Sequence, residues 1–107
     1  MSTFDNRGDA FESKFAHDEQ LQFKAMARRN KLLGLWAAEK MGIEGDEAAE
    51  YAKSVVRADF DEPGDEDVFR KIKADMETAK ASVTEADIRR VMHDLLITAQ
   101  KQILTES

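Results

Sequence analysis

Cysteine is absent from the 107 residues, which removes disulfides, thiolate metal sites and cysteine nucleophiles together. A chain without staples suits a reducing compartment. No apolar run approaches the ~20 residues that a bilayer-crossing helix needs. The first residues are charged and polar, with no apolar signal core. A cytoplasmic protein with no membrane insertion is the expectation. Histidine is limited to His17 and His93. There is no His-Glu-x-x-His pair, no glycine-rich phosphate loop ending in Lys-Ser or Lys-Thr, and no grouping of serine, histidine and carboxylate. Catalysis needs convergent polar groups in a concave site, so the sequence predicts no enzyme. Strand signals are also scarce. β-branched residues are few, apolar and polar residues do not alternate, and the sole proline is Pro63.

What remains is rich in alanine, leucine, lysine and glutamate, the residues helices prefer. Four helices follow from the spacing of apolar side chains. The first runs from about Asp18 to Met41, with Leu21, Ala25, Leu32 and Trp36 on one side, widened by Met26, Leu33 and Ala37. Gly42 and Gly45 punctuate its end. The second starts at Asp46 as N-cap, buries Ala48, Tyr51, Ala52, Val55 and Val56, and stops near Asp59 or Phe60 ahead of Pro63-Gly64. The third starts at Asp65 and carries Val68, Phe69, Ile72 and Met76. The fourth opens with Thr84-Glu85-Ala86-Asp87, a capping box with Asp in the place of Glu. It carries Ile88, Val91, Met92, Leu95, Ala99 and Ile103. Short loops between such stripes predict an all-α four-helix bundle over residues 19–107.

The first 18 residues are of another kind. They hold three of the six phenylalanines, Phe4, Phe11 and Phe15, at spacings of seven and four. At about 100° per residue, Phe11 and Phe15 fall about 20° to either side of Phe4. The rest of the segment is mostly charged, small or polar, and Gly8 weakens a helix there by about 1 kcal/mol relative to alanine. A helix this short is marginal alone. The segment is therefore read as a flexible arm that becomes helical when its aromatic stripe finds a groove. The competing reading is that the stripe belongs to the protein's own core.

Charge sets a second contrast. The net charge is -6, which argues against nucleic-acid binding. Yet residues 21–40 carry Lys24, Arg28, Arg29, Lys31 and Lys40 against Glu39 alone, and every other block of similar length is negative. This basic collar is either a solvated helix face or, through Arg28, Arg29 and Lys31, a weak site for ADP or ATP. The acidic run Asp59–Asp67 fails as a calcium loop. Pro63 falls where the fifth ligand should be and Arg70 where the closing glutamate should be. No metal site or obligatory cofactor is predicted. His93 sits beside the fourth stripe as a boundary residue. His17 lies where arm meets bundle, a position open to pH sensing.

Several stretches together carry a resemblance. They are Thr3-Phe4-Asp5, Ala10-Phe11-Glu12, Lys14-Phe15-Ala16-His17-Asp18, Phe23-Lys24-Ala25, Ala27-Arg28-Arg29-Asn30-Lys31-Leu32-Leu33-Gly34, and the acidic Pro-Gly run from Asp59 to Lys71. In this order the chain resembles the zeta subunit of alphaproteobacterial F-type ATP synthases, an ATPase inhibitor subunit. The resemblance implies a four-helix bundle, monomeric when free, with an inhibitory arm over residues 1–18. It implies that the arm enters an interface between catalytic alpha and beta subunits near the gamma rotor stalk. There it would block rotation in the direction of ATP hydrolysis. Carried onto this sequence, Phe4, Phe11 and Phe15 would be the apolar anchors, with Arg7, Glu12 and Lys14 as polar partners. The subunit would sit at the cytoplasmic face of the inner membrane through the synthase. The alternative is a nucleotide-sensing bundle without strong inhibition.

Overall fold

The computed structural model describes residues 18–61 and 65–106. They form four α-helices: α1 Glu19–Lys40, α2 Gly45–Asp61, α3 Asp65–Thr78 and α4 Glu85–Glu106. No strand occurs among the described residues. Helix α1 is the hub and packs on the other three. Its later turns meet the early turns of α4 around Leu33, Ala37, Ile88 and Met92. Its early turns meet the end of α4 around Leu21, Ala25 and Ile103. The two long helices therefore run antiparallel.

The helix ends are set by local chemistry. Asp18 is extended and its side chain accepts from the Leu21 N–H at 3.1 Å, which caps α1. At the other end Gly42 takes φ 77°. The Gly42 N–H bonds Glu39 and the Ile43 N–H bonds Ala38, closing a Schellman turn. Helix α3 ends with the same pair of bonds, Lys80 to Glu77 and Ala81 to Met76, but with Lys80 at φ 57°. The capping box of α4 is reciprocal: Thr84 Oγ1 accepts from the Asp87 N–H at 3.0 Å and Asp87 Oδ2 accepts from the Thr84 N–H at 3.2 Å. Helix α2 begins one residue earlier than expected, at Gly45. Asp46 is thus in the first turn, beside the positive end of the helix dipole, and is not the cap.

The main core joins Leu33 and Ala37 of α1, Val55 of α2, Val68, Phe69, Ile72 and Met76 of α3, and Ile88 and Met92 of α4. A smaller cluster of Leu21, Ala25 and Ile103 lies toward the start of α1. The expected stripe of α1 is rotated. Leu32, Trp36 and Met26 are only half-buried, whereas Arg29, Asn30, Gly34 and Ala38 are buried. The cause is the hub position. A helix with three neighbours buries a wide face, and residues without apolar side chains fall inside it. On α2 the buried pair is Ala52 and Val55, with Ala48, Tyr51 and Val56 at the margin. The Tyr51 hydroxyl donates to Asp75 Oδ2 at 2.6 Å. Burial, then this bond, pushes the phenol's pKa well up.

The crossing of α1 and α2 is fixed by Gly34. A Cβ built there would lie 2.6 Å from the Ala52 Cα and 3.2 Å from a Val55 methyl. Helix propensity alone says that Gly34→Ala gains about 1 kcal/mol. The backbone collision reverses the sign. We expect a loss of about 1–3 kcal/mol in urea denaturation followed by circular dichroism. Lys80→Gly should move the other way, gaining about 0.5–1 kcal/mol as the left-handed penalty at residue 80 is relieved.

Candidate functional site

The site to be built is the start of α1, where residues 1–17 join the described part of the chain. The arm positions Phe4, Arg7, Phe11, Glu12, Lys14 and Phe15, and His17 with them, lie outside the described residues. Their attachment is within view. Asp18, at φ -122° and ψ 100°, has the extended backbone of an N-cap immediately before α1. The first turns of α1 then rest on the last turns of α4 through Leu21, Ala25 and Ile103, with Leu104 alongside.

A polar latch closes the same junction. Arg28 Nη1 and Nη2 donate to the two carboxylate oxygens of Glu106 at 2.6 and 2.7 Å, and Nη1 also donates to Gln102 Oε1 at 2.7 Å. This is the forked geometry that matches guanidinium to carboxylate. The bond to Arg28 holds the Glu106 carboxyl below the usual carboxylate range. The same bond raises the guanidinium. A depressed carboxylate stabilises the fold above its unfolded pKa, and that contribution is lost as pH falls through its folded pKa.

Arg29 does something different from its neighbour. Its side chain is 1% exposed. Nε donates to Asn30 Oδ1 at 2.8 Å and Nη2 to Asp65 Oδ1 at 2.9 Å. Asn30 Nδ2 in turn donates to Asp59 Oδ2 at 3.1 Å. The end of α2 and the start of α3 are thereby bracketed onto α1. This accounts for two carboxylates of the acidic run. Among the described residues, no group of three or more histidines and carboxylates is placed to hold a metal ion. Lys31 is exposed and borders a groove between α1 and α2. Arg28, Arg29 and Lys31 thus go to three different places: a latch, a buried bracket and a groove edge. The structure does not bring them together around one anion. His93 is exposed on α4. The partners that sequence reasoning missed are Gln102 and Glu106, 74 and 78 residues away from Arg28. No spacing rule reaches that far.

A family model described as ATPase inhibitor subunit zeta matches residues 1–102. A structure solved by solution NMR is 48% identical, with the match covering 81% of this chain and 99% of that one at a TM-score of 0.72. No curated protein matches the chain.

Denaturation tests the bracket and hydrogen exchange tests the latch. Arg29→Ala should lose about 2–4 kcal/mol in chemical denaturation, since it opens a cavity and strips a buried amide of its partner. Arg29→Met should lose less. Hydrogen exchange should show the amides of 19–28 losing protection as pH is lowered from 7 toward about 3. Glu106→Gln should lower protection at neutral pH and flatten that response.

Proposed function

This chain belongs to the ATPase inhibitor subunit zeta family, and on that premise we propose that it is a regulatory inhibitor of the F-type ATP synthase rather than an enzyme. The observation that carries the reading is the continuity of the family match from residue 1 to residue 102. One pattern spans both the aromatic segment and the bundle. No helix among the described residues is long and apolar enough to cross a membrane. The protein would work from the cytoplasm, at the membrane face where the synthase's catalytic head stands.

The inhibitory arm is residues 1–18 and its tether is the bundle of residues 19–107. The arm enters a crevice between catalytic alpha and beta subunits and reaches the gamma stalk, where it orders into a helix. Phe4, Phe11 and Phe15 then share one stripe against the crevice, with Arg7, Glu12 and Lys14 at its polar edges. A wedge at that point stops the stalk from turning in the hydrolysis direction. The bundle contributes by mass action. Once it rests on the head, the arm's binding becomes intramolecular, at an effective concentration set by the short link through Asp18.

Hydrolysis by the matching synthase head provides the test. Intact protein should suppress it, and deletion of residues 1–18 should restore it. Unchanged hydrolysis at saturating intact protein would sink the reading. A free peptide of residues 1–18 should need at least about tenfold more material for the same suppression, since it lacks the tether.

A further inference from the structure

Helix α1 does not cover all of α2. Beside their crossing lies a groove of about 540 Å³. Its floor is apolar, made by Leu35 of α1 and Ala49, Ala52 and Val56 of α2, and its banks carry Lys31, Lys53 and Arg57. The groove exists because the residues at 49 and 52 are small, and because Gly34 lets the two backbones meet just below it. Leu35 is among the exposed large apolar residues. Lys53 and Arg57 are four residues apart on one bank, one helical turn, and Lys31 stands on the other.

The charge of this face runs against the molecule. The chain is acidic, at -6, yet the groove's banks are all cationic. Among the described residues, neither Lys31 nor Arg57 takes part in an ion pair. Lys53 has only the exposed contact to Glu50 at 3.4 Å, which competes weakly.

We propose that this groove is the docking surface of the bundle for an acidic amphipathic helix on the catalytic head of the synthase. The helix's apolar side chains lie along Leu35, Ala49 and Val56, and its carboxylates face Lys31, Lys53 and Arg57. The proposal rests on the inhibitor reading for the identity of the partner. The complementarity is directional: the net charge of -6 disfavours an acidic partner overall, whereas the three cations of this groove favour it, so charge biases the orientation of encounter. A helix laid in an apolar groove between basic banks is a recurring mode of recognition. Docking there fixes the bundle while leaving the start of α1, on the α4 side, free to direct the arm.

The test uses the full-length protein and purified synthase head, with binding read by interferometry and inhibition by ATP hydrolysis. Lys31→Glu/Arg57→Glu reverses the banks, and Ala49→Phe fills the floor without changing charge. Circular dichroism melts confirm that both variants are folded. The charge-reversed variant should bind about tenfold more weakly or worse at low salt, and the difference should shrink as salt is raised. Ala49→Phe should weaken binding to a similar degree with no added salt dependence. Both variants should still reach full inhibition at saturation. Unchanged binding by both variants overturns the proposal, as does absence of binding by the unmodified chain. Tighter binding by the variants also overturns it, since the groove would then hold the chain's own residues 1–17. A sedimentation dimer lost in the variants overturns it in favour of a second copy. Binding that the variants lose, without any inhibition by the unmodified chain, would keep the docking surface and remove the inhibitor reading.

Discussion

The backbones of α1 and α2 can meet as they do because residue 34 has no Cβ. The Ala52 Cα occupies the space where one would stand. This close approach sets the position of α2 on α1. It also forces α1 to bury a wide face. A helix touched by one neighbour hides a narrow stripe, but α1 is touched by three. Arg29 and Asn30 are therefore inside, and the fold is obliged to supply them with partners. Among the described residues, no buried side-chain polar atom is left without one.

The partners come from the acidic run. Asp59 and Asp65 reach back to Asn30 and Arg29 and fasten the ends of α2 and α3 to the hub. Several cations of this acidic chain sit at joints between helices. Arg28 closes the junction with α4, and Arg89 bridges to Glu66 at 2.9 Å while lying 3.7 Å from the Phe69 ring centre. Lys31 and Arg57, which enter none of these joints, stand on one open groove. The division separates holding the bundle together from presenting a surface.

The functional arrangement follows from the same helix. The start of α1 is held on the end of α4 by a small apolar cluster and a forked ion pair, so the point where residues 1–17 join the described chain has a fixed place on the bundle. The groove lies on the α2 side. In the function proposed above, the bundle grips by that face and presents residues 1–18 from the other side, which would raise their local concentration at the crevice.

Much of the fold was legible in the chain. Periodic apolar residues and capping residues located the four helices, with each start within a residue of the structure. The Thr84-Asp87 box and Gly42 marked ends that the structure confirms, because capping depends on neighbours in sequence. The third helix's buried set, Val68, Phe69, Ile72 and Met76, was read in full. The order of the Phe-Ala-His-Asp and acidic Pro-Gly segments was enough to indicate the family. What the chain could not reveal is what depends on contacts between distant residues. Arg28, Arg29 and Lys31 look alike in a row, yet their fates diverge because each points to a different helix. Leu32 and Trp36 have much larger apolar side chains than Gly34 and Ala38, yet the latter are buried; at Gly34 the close backbone approach of α2, and not side-chain size, decided the face. Local sequence chose the elements and their ends; the crossing at Gly34 chose which side of the central helix became interior.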